Sequence, residues 1–574
     1  MYNTKIAEIF EEIANMLALD EVERRFEVLA YRKAALTISS LQEDVGEIYK
    51  KKGVEGLMEL PGIGKGIAGS IKEYIETGKI KKYEELKKQY PIDFTNLTKI
   101  QGMGAKRTFK LYQTIGVKNI DDLRKAVDQH KIRGLEGFGE RSEEEIKKGL
   151  AQFDSGKGRM LLGHALPEAE AIVKKLRDSG LVKQITIAGS TRRMRETVGD
   201  LDILVSSSKA DAVMEMAKKM QEVERTIVSG PTKTTVLLKI GLTCDIRVVE
   251  DSSFGAALQY FTGNKDHNVK LREIAIKKGY KLNEYGLFDR KGKSVAGKTE
   301  EEVYSKLGLD WMEPEMRENR GEIDLAMSRK LPKLVQQEDV LGDLHVHTNH
   351  SDGLEPLGEM AASAAKLGLK YIGITDHTKS EYQARGMDDK KFVKHLEGID
   401  KENERGGIRL LKSAEIDILK DGSLDLENKT LEMMDYRLAS IHTNLNLKRD
   451  EMTKRVIKAF DSGYVDIWAH PTDRLINARP PIDVDLDKVF EAAERNNVIL
   501  EIDSYPDRLD LNDENIFKAR NYKVKFSIDT DSHRSENMLF LRYGIGMAKR
   551  GWLTKELVVN TLPAEKLLKL FHKF

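Results

Sequence analysis

The feature that most constrains this chain is a series of short apolar runs in its C-terminal part, each of which holds or ends near histidines or carboxylates. Seven such runs alternate with helical segments: LGDLHVHT, YIGITDHT, LLKSAEIDIL, YRLASIHT, VDIWAHP, VILEIDS and VKFSIDTDSH. Strands that alternate with helices form parallel sheets, and a parallel barrel gathers its functional residues at the carboxyl ends of its strands. The pattern predicts a parallel (β/α) barrel in which these polar side chains meet.

The polar residues at these strand ends are of the types that bind transition metals. His345 and His347 alternate along one strand, so their side chains share a face, and Asp352 follows on a loop. The full candidate set is His345, His347, Asp352, His377, Glu415, His442, His470, Asp531 and His533. One histidine at a strand end is usually a buried, hydrogen-bonded residue, but nine polar residues in register favour a metal site. Mixed imidazole and carboxylate ligands suit Zn²⁺, Mn²⁺ or Fe²⁺ better than Ca²⁺.

Length and composition bound the remaining possibilities. A chain of 574 residues exceeds the size of one core, so at least three domains are expected. Lys and Arg number 95 against 94 Asp and Glu, so the net charge indicates no partner and any nucleic-acid surface must be local. The single Cys244 excludes internal disulfides and cysteine-rich zinc sites. The sequence shows no secretory or long apolar segment, and we expect a soluble, cytoplasmic protein.

The first 150 residues are predicted to be almost wholly helical and contain one motif three times. The copies are LPGIGKGIAGSI (60–71), IQGMGAKRTFKL (100–111) and LEGFGERSEEEI (135–146). The glycines permit a tight turn between helices, and the free amides of the second helix can receive a phosphate oxygen. Such a turn can also be purely structural. The basic second copy is predicted to bind phosphate, and the acidic third copy is predicted to serve packing.

From about residue 155 the pattern changes to short strands separated by helices. In VKQITIAGSTRRMRETVGDLDILVS, a strand, a Gly-Ser turn and a basic segment precede a second strand. Asp200 and Asp202 project from one face of that strand, and Asp245 lies in a later strand, LTCDIRVVE. The segment GDLD alone would more often be a solvated strand end, but the Gly-Ser turn upstream of it favours a metal-binding strand. Three strand carboxylates suit a centre of two Mg²⁺ ions.

The segment AGSTRRMRETVGDLDILV resembles the nucleotidyltransferase signature of family X DNA polymerases, the polymerase beta relatives. The glycine motifs resemble helix-hairpin-helix elements of DNA-binding proteins, and YFTGNKDHNVKLREIAIKKGYKLNEYGLF (260–288) supports the same family. The resemblance implies that Asp200, Asp202 and Asp245 are catalytic and hold Mg²⁺. The nucleotide-binding residues that it implies are Arg159, Gly189, Ser190, Arg193, Tyr260, Phe261, Gly263 and Asn268. The DNA-binding residues that it implies are Gly62, Gly64, Lys65, Gly102, Gly104, Lys106 and Arg272.

Within this set the resemblance implies separate roles. Ser190, Arg193 and Arg159 would contact the triphosphate, and Tyr260 with Phe261 would lie beside the incoming sugar, where a ring can exclude a 2′-hydroxyl. Asn268 and Arg272 would reach the nascent pair and the template minor groove. An isolated Tyr-Phe pair is more often core packing, but the order and spacing favour the functional interpretation.

One departure from that family concerns lyase chemistry in the N-terminal region. Relatives that remove a 5′-deoxyribose phosphate use a lysine at the position that is Ser70 here, and serine forms no imine. The phosphate-pocket positions are also changed, to Phe26 and Glu27. Lys65 is a candidate substitute, although a phosphate contact is the more ordinary role for it. The sequence therefore predicts little or no lyase activity.

The C-terminal part resembles the polymerase and histidinol phosphatase (PHP) domain, a distorted seven-stranded barrel with a trinuclear metal site. All nine ligand positions of that family are filled, which argues against a degenerate barrel. The resemblance implies three ions, Mn²⁺ or Zn²⁺, and hydrolysis of a phosphoester. His350 and His395 fall outside the pattern, and we expect ordinary structural roles for them.

The fold class that follows is multidomain α+β. A helical helix-hairpin-helix N-terminal region precedes a nucleotidyltransferase palm with a mixed β-sheet and a C-terminal distorted (β/α)7 barrel. The expected boundaries are 1–88 for a lyase-like DNA-binding domain, 89–152 for a helix-hairpin-helix subdomain, 153–250 for the palm, 251–318 for a nucleotide-selection subdomain, 319–338 for a linker and 339–574 for the PHP domain.

The predicted function is a repair polymerase that fills short gaps in DNA with deoxynucleoside triphosphates. Its barrel is predicted to be a 3′-5′ exonuclease that also opens abasic sites. One alternative keeps the polymerase but gives the barrel small phosphate esters or pyrophosphate as substrates. A second alternative is a DNA-binding scaffold with an inherited, inactive barrel, which the intact carboxylate and imidazole sets argue against.

Overall fold

The structure is a computed structural model that describes residues 2–19, 24–39, 45–60, 62–97, 100, 103–154 and 159–571. The chain divides into two compact units, Met1–Arg159 and Met160–Phe574. Among the described residues, no helix combines the length and apolar character needed to span a membrane.

The N-terminal unit is helical, as its sequence predicts. The helices among its described residues are α1 (Tyr2–Leu17), α2 (Arg25–Ser39), α3 (Val45–Met58), α4 (Lys65–Thr77), α5 (Lys81–Gln89), α6 (Phe94–Leu97), α7 (Ala105–Ile115), α8 (Ile120–Asp128) and α9 (Glu140–Asp154). Phe10 and Tyr31 pack edge to face at 5.3 Å in its apolar core. Helices α4, α7 and α9 each begin directly after the second glycine of one motif copy.

The second unit begins with a five-stranded mixed sheet. Its elements are β1 (Met160–Leu161), α10 (Leu162–Asp178), β2 (Gln184–Ile187), α11 (Gly189–Arg192), β3 (Thr197–Val198), β4 (Asp200–Ser206), α12 (Ala210–Lys218), β5 (Val223–Ser229), β6 (Lys233–Leu238) and β7 (Thr243–Val249). The strand order of the five-stranded sheet is β2-β4-β7-β6-β5, and β4 runs parallel to β7. Strands β1 and β3 pair with each other as a separate two-stranded sheet. Strands β6 and β7 form an antiparallel hairpin.

A smaller helical region with a three-stranded sheet follows. Its elements are α13 (Phe254–Thr262), α14 (Lys265–Lys277), β8 (Lys281–Asn283), β9 (Gly286–Phe288), β10 (Ser294–Ala296), α15 (Glu300–Lys306) and α16 (Glu322–Met327). Helix α16 lies inside the segment 319–338, for which the sequence predicts a linker. Glu322 is buried and accepts a hydrogen bond from the backbone amide of Asn319 (3.0 Å), while its Oε1 lies 2.7 Å from Nδ1 of His267. The first part of that segment is therefore packed against the preceding region.

The C-terminal part is a parallel barrel, which confirms the predicted fold class. Its strands are β11 (Gly342–Val346), β12 (Tyr371–Ile374), β13 (Arg409–Lys412), β14 (Glu415–Asp417), β15 (Leu438–Ser440), β16 (Ile467–Trp468), β17 (Ile499–Asp503) and β18 (Phe526–Asp529). Its helices are α17 (Leu357–Lys366), α18 (Asp389–Glu404), α19 (Asn428–Leu431), α20 (Arg449–Asp461), α21 (Leu486–Asn496), α22 (Asp513–Ala519), α23 (Leu541–Arg550) and α24 (Ala564–Leu567).

The barrel strands occupy seven positions because β13 and β14 are successive parts of one run, LLKSAEID. Strand β13 pairs with β12, and a parallel bridge between His377 and Glu415 continues that neighbourhood beyond the break. Strands β14 to β18 pair in sequence order. A bridge between Val346 and Ser532 joins the last strand to the first, and the closed ring places every strand end on one rim.

Candidate active sites

The first candidate site lies on the mixed sheet, where three carboxylates share one face. Asp202 on β4 lies directly opposite Asp245 on β7, and Asp200 lies two residues earlier on β4. Thr235 donates a 2.6 Å hydrogen bond to Oδ1 of Asp245, and the ammonium group of Lys233 lies 2.6 Å from its Oδ2. The parallel pairing of two strands that are distant in sequence brings these acids together.

The crowding of these acids is visible in the pKa of Asp202. Burial, followed by the charges of Asp200 and Asp245, raises the pKa of Asp202 to about 7. A cation among the three carboxylates would remove this penalty, and oxygen donors are the ligands that Mg²⁺ prefers. The residues present therefore fit the Mg²⁺ ions that the sequence predicts.

Gly189 allows the Gly-Ser turn to approach the carboxylates closely. Its φ is +64°, a region that favours glycine, and a Cβ atom built on it would lie 2.2 Å from Oδ2 of Asp202. The turn brings Ser190 into α11, beside the face that carries the three carboxylates. A glycine is therefore needed after this short strand because a side chain at position 189 would collide with Asp202.

Arg193, the predicted triphosphate contact, follows α11 and lies close to acidic and carbonyl oxygens. Its Nε donates a 3.0 Å hydrogen bond to Oε1 of Glu318, and its Nη1 donates to the carbonyl of Thr262. A Cβ on Gly263, whose φ is +68°, would lie 3.2 Å from Nη1 of Arg193. The structure thus brings Gly263 and Arg193 together as the sequence predicts for one nucleotide site.

The predicted sugar-contact pair lies at the end of α13. The rings of Tyr260 and Phe261 meet edge to face at 5.1 Å, and the guanidinium of Arg247 lies 4.5 Å from the Phe261 ring. Asn268 donates a 2.7 Å hydrogen bond to the carbonyl of Tyr260. Asn268 therefore holds the end of α13 in this structure, while Arg272 on α14 is exposed.

The helix-hairpin-helix residues present free helix ends. Gly64 and Gly104 are the N-caps of α4 and α7 and carry no side chain that would cap the helix amides. Gly62 has a φ of +81°, and Lys65 and Lys106 are exposed. Gly102 lies outside the described residues, and Arg159, the last residue of the N-terminal unit, is exposed.

In the third copy of the motif, Glu143 is buried and accepts hydrogen bonds from the backbone amides of Ile132 and Arg133, which agrees with a packing role.

The second candidate site is at the rim of the barrel and is centred on Glu415. The Oε1 of Glu415 lies 2.8 Å from Nε2 of His470 and 3.1 Å from Nε2 of His442. Its Oε2 lies 3.2 Å from Nδ1 of His377, and 3.3 and 3.4 Å from Nε2 of His345 and His347. The remaining member is His533. Its Nε2 lies 3.2 Å from Oδ2 of Asp352, and its Nδ1 lies 3.6 Å from Oδ1 of Asp531. The fold therefore brings all nine predicted ligands into one cluster.

Three overlapping groups in this cluster have the spacing of metal ligands. They are His347, Asp352, His377 and His533; His345, His347, Glu415 and Asp531; and His377, Glu415 and His442. The donor atoms in each group lie within 4.8 Å of one another. Together these groups include every predicted ligand except His470, which lies 2.8 Å from Glu415.

Buried donor atoms support the fit to metal ions. Among the described residues, several ligand atoms are buried without an aligned hydrogen bond: His345 Nε2, His347 Nδ1 and Nε2, His377 Nδ1, His470 Nδ1 and Asp531 Oδ1. A buried polar atom without a partner is costly, and a coordinated ion would satisfy it. Burial opposes ionisation of Glu415, but His377, His442 and His345 hold its pKa well below the usual range.

The residues that orient the ligands were not recognised in the sequence. Glu501, in the middle of β17, has Oε1 2.7 Å from Nδ1 of His345 and accepts a hydrogen bond from the backbone amide of His470. Such a partner fixes the tautomer and the ring orientation of a ligating histidine. An acid inside the apolar run VILEIDS is the signal that could have identified it.

Arg508 was also not recognised, although it lines the cavity above the ligands. That cavity has a volume of about 330 Å³, and its lining includes Glu381, Gln383 and Ala384 beside the ligand residues. Arg508 donates a 2.7 Å hydrogen bond to Asp473, and its Nε lies 3.6 Å from Asp503 and 3.8 Å from Asp531. Its guanidinium is a partly exposed cation beside the candidate metal ligands, and this position suits binding of a phosphate.

His350 and His395 lie outside the nine-ligand cluster but are near each other, with ring centroids 4.3 Å apart. Asp376 lies 2.9 Å from Nε2 of His395 and accepts hydrogen bonds from the amide of Thr348 (2.8 Å) and the hydroxyl of Ser351 (2.6 Å). This buried carboxylate thus fixes the loop that leads to Asp352.

Comparison with protein families matches four regions of the chain. Residues 1–80 match a helix-hairpin-helix domain, and 94–152 match a SAM-like helix-hairpin-helix tandem. Residues 257–318 match the DNA polymerase beta thumb, and 343–505 match the PHP domain.

Individual relatives agree with this assignment. The chain is 36% identical to the DNA polymerase/3'-5' exonuclease PolX of Bacillus subtilis (strain 168) over 98% of this chain and 97% of that protein. It is 27% identical to the DNA polymerase lambda of Arabidopsis thaliana over 55% of this chain and 62% of the plant protein. It is 30% identical to a probable phosphatase of Thermoanaerobacter sp. (strain X514) over 38% of this chain and 89% of that protein.

The fold and the two sites define a polymerase of the polymerase beta type that is fused to a PHP barrel. The match to the Bacillus protein extends over nearly all of both chains. The chain therefore belongs to the PolX family of family X DNA polymerases.

Proposed function

We propose that this protein is a DNA repair polymerase that extends primer 3′ ends in short gaps and whose barrel hydrolyses DNA from the 3′ end. The observation that carries the proposal is that one chain, aligned along nearly its full length with a polymerase/3'-5' exonuclease, holds both a carboxylate triad and nine clustered barrel ligands. The barrel is also proposed to open abasic sites, because the same hydrolysis applies to any DNA phosphodiester that enters the cavity.

In the polymerase site, Asp200, Asp202 and Asp245 are proposed to hold two Mg²⁺ ions. When bound, the ions would neutralise phosphate charge and favour ionisation of the primer hydroxyl. Lys233 and Thr235 hold Asp245 at a fixed position, so the triad is oriented before substrate arrives. Ser190, Arg193 and Arg159 are proposed to bind the triphosphate.

Sugar and base selection are proposed to lie at the end of α13. Tyr260 and Phe261 form a rigid aromatic pair, and Asn268 fixes the carbonyl of Tyr260, so the pair can exclude a 2′-hydroxyl by shape. Gly263 allows the chain to turn against Arg193. Arg272, exposed on α14, is proposed to contact the DNA strand.

DNA binding outside the active site is proposed for the helix-hairpin-helix turns. Gly62, Gly64 and Lys65 of the first copy, and Gly102, Gly104 and Lys106 of the second, would hold backbone phosphates without reading sequence. The support is the pair of glycine-capped helix ends with an exposed lysine beside each. Such contacts suit gapped or primed DNA of any sequence.

In the barrel, the nine clustered residues are proposed to hold three Mn²⁺ or Zn²⁺ ions. Bound ions would polarise the phosphoester and activate water. Six imidazoles and three carboxylates favour these ions over Mg²⁺. Arg508 would orient the scissile phosphate, because its guanidinium lines the cavity and is held by Asp473.

A second candidate function gives the barrel small phosphate esters as substrates. The similarity of this region to a probable phosphatase favours it, and a cavity of about 330 Å³ has room for a small ester. The rates of hydrolysis of a 3′-terminal DNA nucleotide and of free phosphomonoesters, measured on the same preparation, separate the two functions. Faster turnover of the free esters would favour the second function.

One experiment tests the main proposal. Purified protein is analysed for bound metals and then given a gapped, end-labelled DNA with deoxynucleoside triphosphates in Mg²⁺ or Mn²⁺. We expect extension in Mg²⁺, and 3′ degradation that is stronger in Mn²⁺ when nucleotides are omitted. Absence of both activities with a full metal complement would contradict the proposal and favour the scaffold alternative.

A further inference from the structure

We propose that Arg550, on helix α23 of the barrel, is a positioning residue for the polymerase nucleotide site. The proposal rests on the proposed role of Arg193 as a triphosphate contact. It assigns to the barrel a part in DNA synthesis that is separate from its own hydrolytic chemistry.

The turn that carries Arg193 is held by barrel residues. Arg550 donates a 2.8 Å hydrogen bond from Nη1 to the backbone carbonyl of Arg193. The next residue, Met194, has a φ of +52° and packs on Gly546 of the same helix, where an added Cβ would lie 2.8 Å from the methionine methyl group. Arg474 of the barrel bonds Glu196 at 2.7 Å. The backbone of this turn is therefore fixed from the barrel side.

Arg550 and Arg193 also share one carboxylate. Oε1 of Glu318 accepts hydrogen bonds from Nε of Arg193 (3.0 Å) and from Nη1 of Arg550 (2.9 Å), and Oε2 accepts from the amide of Asn264 (2.8 Å). Arg550 is held in turn by Asp513 at 2.7 Å. The side chains of Arg550, Glu318 and Arg193 are only 1%, 10% and 12% exposed, so solvent screens these charges little.

The charge of Glu318 explains why its contact with both Arg550 and Arg193 matters. Burial opposes ionisation of Glu318, but Arg550 and then Arg193 lower its pKa to about 2, so the carboxylate is charged. When Arg193 turns its guanidinium toward a triphosphate, a buried carboxylate with no other close cation would oppose that movement. Arg550 stays beside Glu318 and compensates its charge, whereas Arg195 is more exposed and lies 4.0 Å away. Arg550 thereby keeps Arg193 available to the nucleotide.

The test is steady-state gap filling by the full-length protein. The Arg550→Gln variant is expected to raise the KM for the incoming nucleotide about tenfold, the size expected for a charged hydrogen bond, while kcat changes less than about twofold. Degradation of 3′ ends in Mn²⁺ should stay at the parental rate. Arg550→Lys keeps the charge and should return the KM part of the way to the parental value. It is also the test variant if the glutamine variant does not fold.

The matched control is Arg542→Gln. Arg542 lies on the same helix, is one-third exposed, and forms its described hydrogen bonds with Glu170 and Tyr543 and not with Arg193 or Glu318. Its loss should leave the nucleotide KM unchanged. A KM rise of equal size in this variant would show a general loosening of the barrel and would overturn the proposal.

Two further variants separate the possible failures. If Arg193→Gln leaves the KM unchanged, the proposed role of Arg193 fails; if it raises the KM while Arg550→Gln does not, only the inference about Arg550 fails. In a Glu318→Gln background, Arg550→Gln should add little to the KM. An undiminished rise in that background would overturn the charge sharing through Glu318.

Discussion

The two metal sites of this chain compensate their acidic charge in different ways. In the palm, Asp200 is exposed, and the carboxylate of Asp245 is paired with the ammonium group of Lys233 and lies 3.7 Å from Arg247. In the barrel, three carboxylates are surrounded by six imidazoles, and no lysine takes part in the described cluster. The palm acids lie beside a lysine and an arginine, whereas the barrel acids are surrounded mainly by imidazoles, with Arg508 3.8 Å from Asp531.

This difference teaches how each site relates to its ions. The ammonium group of Lys233 lies 2.6 Å from Oδ2 of Asp245 in this structure, so a cation that binds this oxygen must displace the lysine. Buried imidazoles without aligned hydrogen bonds have no such substitute and favour ions that remain bound. We therefore expect the two sites to respond independently to substitution and metal removal.

The strongest separation is expected from Asp245→Ala. Loss of a carboxylate that faces Asp202 across two strands should lower primer extension by roughly 100- to 1,000-fold, because the charge that develops on the phosphate loses its fixed counter-ions. Degradation of 3′ ends in Mn²⁺ should be unchanged. Both rates are measured on one labelled gapped substrate. Extension near the parental rate would remove Asp245 from the metal site.

The converse change is His345→Ala with His347→Ala. Removal of two ligands should lower degradation by more than the roughly 10- to 100-fold typical of residues outside the ligand set, and extension should remain. His350→Ala is the matched control, because it removes a neighbouring imidazole outside the nine-ligand cluster. Parental degradation by the double variant in Mn²⁺ would show that the barrel is not the nuclease.

A smaller effect is expected from Glu501→Gln, which keeps the shape of a buried side chain but removes its charge. Glu501 orients His345, so its loss should weaken metal affinity or degradation roughly 10- to 100-fold. Metal content after dialysis against a weak chelator gives a readout that does not depend on catalysis. Unchanged metal retention and degradation would exclude an orienting role.

The palm site should also be sensitive to mild acid. Because burial and the neighbouring acids raise the pKa of Asp202 from 3.8 to about 7, protons compete with Mg²⁺ below pH 7 and not above it. The Mg²⁺ concentration for half-maximal extension should rise by up to about tenfold per pH unit as the pH falls from 7 to 6, as expected for one competing proton. A flat Mg²⁺ requirement over this range would contradict the raised pKa.

The smallest signal is expected in the N-terminal unit, where borohydride should trap little covalent adduct on a 5′-deoxyribose-phosphate end. The hydroxyl of Ser70 donates to the carbonyl of Gly66 at 3.3 Å and forms no imine. Ser70→Lys is the matched gain-of-function variant and should increase trapping. Efficient trapping by the parental protein that survives Lys65→Ala would reveal another amine nucleophile.

The sequence predicted those parts of the fold and the sites that follow from local periodicity. Histidines and acids at the ends of seven apolar runs indicated the barrel rim, and the alternation in GDLD placed Asp200 and Asp202 on one face. Glycine pairs before helical runs indicated the starts of α4 and α7. In each case one short segment contains the whole signal.

What the sequence did not predict depends on pairs that are distant in the chain. Lys233 begins β6 and Glu501 lies inside β17, and their roles become visible only when the fold brings Asp245 beside Lys233 and His345 beside Glu501. The segment 319–338 is charged and aperiodic, yet Glu322 is buried because His267, 55 residues earlier, lies next to it. Arg508 follows a strand without any repeat that would distinguish it from a surface arginine.

The closure of the barrel has a consequence for the order in which the protein matures during its synthesis. Val346 in the first strand pairs with Ser532 just after the last, and Arg550 comes later still. N-terminal regions fold first as a chain emerges, and contacts between distant residues form late. The helical unit and the mixed sheet can therefore take shape while the rim that holds the barrel ligands is still incomplete. Since Arg550 fixes the turn that carries Arg193, a chain cut short before α23 would carry a palm whose nucleotide site lacks its last support.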